Sequence, residues 1–180
     1  MGGLTKPEPK ESKSKQPNRP RETVDWYEAL AFTRWLSAQL GYTITLPTEQ
    51  QWEKAARGTD GREYPWGVGF KTGDANVNDT SAGDDSLQQT TAVGLYSHRA
   101  SPYQVMDMVG NVWEWCLNKY DQPEYTAPDR SGQSRVLRGG SWYSSPGYHA
   151  HNSGRYGPYP DNRSGRDGFR VVCSSPYTER

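Results

Sequence analysis

RVLRGGSW, from Arg135 to Trp142, and GFRVV, from Gly168 to Val172, enclose the run YSSPGYHAHNSGRYGPYPDNRSGRD at 143–167. The two flanks read as short core strands, because apolar residues are bounded there by turn-forming ones. The 25 residues between them contain no Leu, Ile, Val, Met, Phe, Trp, Lys, Glu, Gln, Thr or Cys. Without aliphatic side chains such a run cannot build a core. Of the 25, 14 are Tyr, Ser, Gly or Asn, the residues that antibody-type binding loops favour. Tyr gives rigid contact area, while Ser, Gly and Asn adapt their hydrogen bonds to a target. The pattern predicts a binding surface, 143–167, carried on a scaffold that folds without it.

Working outward, VMDMVGNVWEW (Val105 to Trp115) reads as a further strand. Upstream, TVDWYEALAFTRWLSAQLGY keeps a helical period through Trp26, Leu30, Ala31, Trp35, Leu36 and Leu40, and Gly41 is the stop. A strand from Thr43 to Leu46 follows. Thr48 then opens a second helix with Gln51 three residues on, a capping-box pattern, and Gly58 ends it. Residues 58–102 are irregular and polar, and a loop of that length needs something to fix it, such as a bound ion. Two helices followed by loop-rich β-structure predict an α+β domain over 22–176. Residues 1–21, rich in Pro, Lys, Ser and Glu, read as a disordered tail or linker that could tether a further domain.

Composition narrows the function. The 180 residues carry 21 basic and 21 acidic side chains, which gives no electrostatic footprint for nucleic acid or a membrane surface. Seven Trp and twelve Tyr shift burial onto aromatics. No apolar run has the length of a membrane span, and the expectation is a soluble cytoplasmic protein. Cys116 and Cys173 both follow core-like runs, so they read as buried free thiols, with a bridge as the alternative. The pair His149 and His151, with Asp161, is a weak metal signal, and exposed histidines in a variable loop are the simpler reading. Ser144 or Ser145 beside His149 lacks a fixed acid or a nucleophile elbow, so no catalytic residue is assigned.

LPTEQQWEKAAR (46–57), YPWG (64–67), MVGNVWEW (108–115), RVLRGGSW and GFRVV occur in that order. This set resembles the formylglycine-generating-enzyme, or sulfatase-modifying-factor, family over roughly residues 23 to 173. The resemblance implies a C-type-lectin-like fold: two helices packed on short twisted antiparallel strands, with much irregular loop. In the enzymes of that family a cysteine pair shortly after the RGGS strand binds copper. The matching positions here are near Ser144 and His149, and no Cys stands between Cys116 and Cys173. Neither a hydroxyl nor an imidazole replaces a thiolate in that role, so the expectation is no copper and no oxidase activity.

The same resemblance implies structural Ca²⁺, a hard cation that takes oxygen ligands. One site would use Asp107, the Gly110 and Val112 carbonyls, and Glu114. A second would use Asn76, the Val77 carbonyl, Asp85 and the Leu87 carbonyl. The alternative for Glu114 is a buried carboxylate paired with an arginine such as Arg138, and for Asp85 a solvated loop acid.

More narrowly, the RGGSW frame, the polar run with its DNR, and GFRVV resemble the variable proteins of diversity-generating retroelements. In those systems template adenines are randomised, and an AAC or AAT codon can become Asn, Ser, Tyr, Gly, His, Asp, Arg, Pro or Ala, but never Lys, Glu, Gln, Met or Trp. All of 143–167 falls in the reachable set. A Gly/Pro/Ser-rich surface loop of an ordinary family member is the competing reading. The resemblance implies a non-enzymatic protein that binds a protein or other macromolecule. The predicted contacts are Tyr143, Ser144, Ser145, Gly147, Tyr148, His149, Ser153, Arg155, Tyr156, Tyr159, Ser164, Arg166 and Asp167. Asp161, Asn162 and Arg163 read as fixed residues holding the loop to the core. An enzyme of the same family, or a regulatory module attached through the tail, remains the alternative.

Overall fold

A computed structural model describes residues 11–13, 15–81 and 86–174. Helix α1 (Trp26–Leu40) starts at Asp25, whose carboxylate accepts from the Glu28 amide while Glu28 reaches back to the Asp25 N–H. Gly41 closes it in the left-handed conformation. Only the N-terminal part of the predicted apolar stripe is buried: Trp26 and Leu30 enter the core, whereas Leu40 is 55% exposed. Strand β1 (Thr43–Thr45) leads to α2 (Glu49–Arg57), capped by Thr48 and Gln51 as the sequence predicts.

The main sheet is built from β2 (Trp113–Lys119), β3 (Arg135–Arg138), β4 (Arg155–Tyr156) and β5 (Asp167–Gly168), in the order β4-β3-β2-β5. It is mixed rather than wholly antiparallel, because β5 runs parallel to β2 with Trp113 opposite Asp167. GFRVV is not one strand. Gly168 ends β5, and Val172 opens β6 (Val172–Ser174), which pairs with β1 in a separate two-stranded sheet.

Residues 105–112 are likewise not strand. Asp107, Gly110 and Asn111 all take positive φ. A Cβ on Gly110 would stand 2.3 Å from the Asn76 carbonyl oxygen, so only glycine allows this approach. Hydrogen bonds tie the described part of the long polar loop to the body. The Asn111 side chain accepts from the Thr91 amide (2.9 Å) and donates to the Thr91 carbonyl (3.3 Å), while Asn76 donates to the Gln89 carbonyl (2.9 Å). A small cluster of Tyr64, Ala75, Val77, Val109 and Ala150 packs beneath it.

Alternation along the strands gives the sheet two faces. Trp113, Trp115 and Leu137 join Trp26 and Leu30 of α1 in one core, and Cys116 and Val136 meet Trp52 of α2 in the other. Buried tryptophans spend their N–H groups usefully: Trp26 on the Cys116 carbonyl (2.9 Å), Trp115 on the Val24 carbonyl (3.0 Å). Cys116 is buried, but Cys173 is exposed, which corrects the expectation that both thiols are interior. Part of the predicted tail lies on the body, since the Asn18 carbonyl accepts from the Val93 amide and Arg19 donates to the Thr90 carbonyl. No helix among the described residues is long and apolar enough to cross a membrane.

Candidate functional site

The run 143–167 leaves β3, returns through β4 and re-enters the sheet at β5. Its side chains therefore inherit the two faces. In β4, Tyr156 stands opposite Leu137 and Arg155 opposite Arg138. Tyr156 lies on the face of Trp113, with ring centroids 5.9 Å apart. Arg155 lies on the other face, where Nε and Nη2 grip the Glu49 carboxylate at 2.6 and 2.9 Å.

On the Trp113 face a cavity of about 330 Å³ opens to solvent. Eight of the thirteen predicted contacts line it: Tyr143, Ser144, Ser145, His149, Tyr156, Ser164, Arg166 and Asp167. His149 stands edge-on to Trp113 with centroids 5.8 Å apart, and Tyr148 packs against His149 from outside at 4.2 Å. Arg166 lies over the Tyr143 ring, 4.8 Å from its centroid. Asp167 is 2% exposed, and its Oδ2 accepts from the Asn162 side-chain amide at 2.8 Å. Burial pushes its carboxyl up to about 7, against the lowering effects of the Arg166 charge and the Asn162 hydrogen bond. Burial and the charge of His151 push the His149 imidazole below its ordinary value.

The other predicted contacts do not share this cavity. Ser153 lies with Arg155 beside Glu49 and Arg138, on the α2 side. Arg155 is held outside this cavity by Glu49, for the strand-parity reason given above. Gly147, Tyr148 and Tyr159 are exposed around the rim or beyond it. Ser144 is buried, and its hydroxyl accepts from the Ser141 amide at 3.0 Å, so it forms wall rather than free surface. Arg163 clamps the run to the start of α1 through Asp25 (2.5 Å) and Glu28 (2.9 Å). Trp113, Ser141 and Asn162 line the cavity although the sequence reading assigned them to the framework. The alternation Trp113-x-Trp115 carried the signal for the first of them.

Ser144 and His149, near which the resemblance puts the copper cysteines of the family's enzymes, both line this cavity, and no cysteine lines it among the described residues. A separate cavity gathers all four residues of the first implied calcium site: Asp107, Gly110, Val112 and Glu114. The donor chemistry, two carboxylates with backbone carbonyls, suits a hard cation. Arg170 is already there. Its Nε and Nη2 reach Glu114 at 2.5 and 2.7 Å, and Trp52 donates to the same carboxylate at 2.6 Å. Arg170, not Arg138, is thus the partner of Glu114, while Arg138 binds Glu49 and Glu53. Two carboxylates against one guanidinium leave this cavity one negative charge in excess. Burial, chiefly, raises the Asp107 carboxyl, which a cation would relieve. Among the described residues no three His, Cys, Asp or Glu side chains converge, so an ion here would depend on the carbonyls. At the second implied site, Asn76 spends its amide within the loop, Leu87 is exposed, and Asp85 lies outside the described residues.

Known proteins share this architecture. A family model for the sulfatase-modifying factor enzyme 1-like domain matches residues 2–175. The formylglycine-generating enzyme of Streptomyces coelicolor is 32% identical over 182 residues, covering 91% of this chain and 55% of that protein. The inactive C-alpha-formylglycine-generating enzyme 2 of Bos taurus is 35% identical over 162 residues, covering 84% and 48%. The chain spans about half the length of these curated relatives. The solved Treponema denticola variable protein 1 matches with a TM-score of 0.72 at 26% identity, over 93% of this chain and 75% of that one. The fold is accordingly C-type-lectin-like, and the narrower resemblance to variable proteins has a solved counterpart. With its family match running almost end to end, this chain belongs to the sulfatase-modifying factor enzyme 1-like domain family.

Proposed function

We propose that this protein is a non-enzymatic ligand-binding member of its family, the variable protein of a diversity-generating retroelement, which presents 143–167 to a macromolecular partner. The observation that carries the reading is the cavity on the Trp113 face. Eight predicted contacts converge there, and the core cluster that Trp113 shares with α1 is built from residues outside the run. Side chains that meet only solvent or ligand can change at a cost within about ±0.5 kcal/mol, which is what massive diversification requires. Likeness to a solved variable protein supports the reading, and so does a relative named inactive at 35% identity. The enzymatic alternative draws on the 32% identical formylglycine-generating enzyme, but the thiolates of that chemistry have no counterpart at Ser144 and His149.

The test is to sequence codons 135–172 from many cells of a source population. Substitution confined to positions that are adenine in a nearby template copy supports the reading. A uniform stretch with no template copy overturns it.

A calcium ion is proposed for the cavity of Asp107, Gly110, Val112 and Glu114, where it would offset the excess negative charge. Its expected signature is a thermal midpoint that falls when a chelator is added. Saturation at 100 times the dissociation constant contributes ~2.7 kcal/mol, and an unchanged midpoint removes the ion from the account.

A further inference from the structure

The cavity on the Trp113 face has a chemical preference of its own. Three of its rings gather at Trp113: the centroid of His149 stands 5.8 Å and that of Tyr156 5.9 Å from the tryptophan. Beside Trp113, as its register partner in the parallel pair, stands Asp167, a buried acidic residue. No salt bridge to Asp167 occurs among the described residues. A desolvated carboxyl whose one hydrogen bond comes from a neutral amide ionises more readily when a cation is seated beside it. Aromatic faces attract a cation most strongly where water is excluded, and Trp does so best.

We infer that this cavity takes an alkylammonium group, the end of a lysine side chain on a protein partner, seated against Trp113, His149 and Tyr156 and facing Asp167. The inference deepens the binding-surface reading and rests on it. His149 does not oppose a cation, since burial favours its neutral form. Arg166 is the one cation lining the cavity, and its guanidinium is occupied with the Tyr143 ring and the Ser164 hydroxyl (3.3 Å). An anion would meet Arg166 but would have to approach the Asp167 carboxyl, so the geometry disfavours it. A neutral alkyl chain could line the aromatics but would leave Asp167 unpaired.

The experiment titrates the full chain with Nα-acetyl-lysine methylamide, its norleucine analogue and its glutamate analogue, and follows the Trp113 indole N–H and the Asn162 side-chain amide by NMR. The lysine compound is expected to bind at least ~10-fold more tightly than the norleucine one, the contribution of the charge. Asp167→Asn, which keeps the shape and the Asn162 contact, should erase that preference, and the exposed Tyr156→Ser should weaken lysine binding severalfold. Equal binding of lysine and norleucine compounds, tighter binding of the glutamate compound, or an unchanged preference in Asp167→Asn would overturn the inference. Codon variation in 143–167 without lysine preference breaks this assignment alone. Lysine preference with uniform codons breaks only the diversified reading.

Discussion

Arg155 and Tyr156 are adjacent in the chain, both reachable by the same codon randomisation, and yet they belong to different halves of the molecule. Tyr156 meets Trp113 on the solvent-open face, while Arg155 meets Glu49 under α2. The α2 face is a charged network: Arg138, 1% exposed, binds Glu49 and Glu53 and also the carbonyls of Asn152 and Ser153. The Trp113 face holds rings and one buried acid. The difference teaches that position within the run does not decide freedom to vary. Strand parity does, because a one-residue step in β4 moves a side chain from ligand to foundation.

The largest effect should come from the foundation. Arg138→Ala removes the buried guanidinium that binds Glu49, Glu53 and two carbonyls, leaving Glu49 to Arg155 alone, and is expected to cost about 3–5 kcal/mol in denaturant unfolding. A loss under about 1 kcal/mol would show that the two faces are not energetically distinct. Next, Asp167 makes stability depend on pH. Its carboxyl rises from the ordinary 3.8 to about 7, so the folded state holds the proton more tightly than the unfolded chain. That contribution is present below pH 3.8 and lost as pH climbs to about 7, by at most ~4 kcal/mol at 1.36 kcal/mol per unit. Asp167→Asn should flatten the slope of the thermal midpoint between pH 4 and 7, and an unaltered slope would place the acid in water.

A sharper comparison sets two arginines of one run against each other. Arg155→Ala removes charge-assisted bonds to Glu49 and is expected to cost about 1.5–3 kcal/mol, whereas Arg166→Ala, exposed on its tyrosine, should stay within about 0.5 kcal/mol. In a sequenced population, codon 155 should then be constant where codon 156 varies. The smallest effects belong to the rim. Tyr148→Ala, at a side chain 73% exposed, and Tyr159→Ala should leave the midpoint within about 0.5 kcal/mol of wild type while changing partner binding.

What the sequence made legible was local. The Thr48–Gln51 capping box and the Gly41 stop are short-range signals, and both hold. The polar run announced itself by its lack of large aliphatics, yet Ala150 still enters the small cluster with Tyr64 and Val109, which composition alone does not show. What stayed illegible depends on pairing between distant segments. Nothing in GFRVV says that its two ends serve different sheets, and nothing in RYG says which of two neighbours faces the cavity. The loop fixed by Asn111 and Asn76 escaped for the same reason, since its partners lie 20 and 13 residues away in the chain. For Glu114 the alternative of a buried acid paired with an arginine finds its partner after β5, in Arg170, instead of in β3.

The two-residue strand β4 has one more consequence. It pins the run near its middle, so the stretch between β3 and β5 is two closed arcs, 139–154 and 157–166, rather than a single free span. Closure entropy grows only with the logarithm of length, about 0.6 kcal/mol for each doubling. Either arc could therefore gain or lose residues while the other, and the register of the sheet, stayed put. Under the proposed function, new partners would be reached by changing the outline of the surface as well as its lettering.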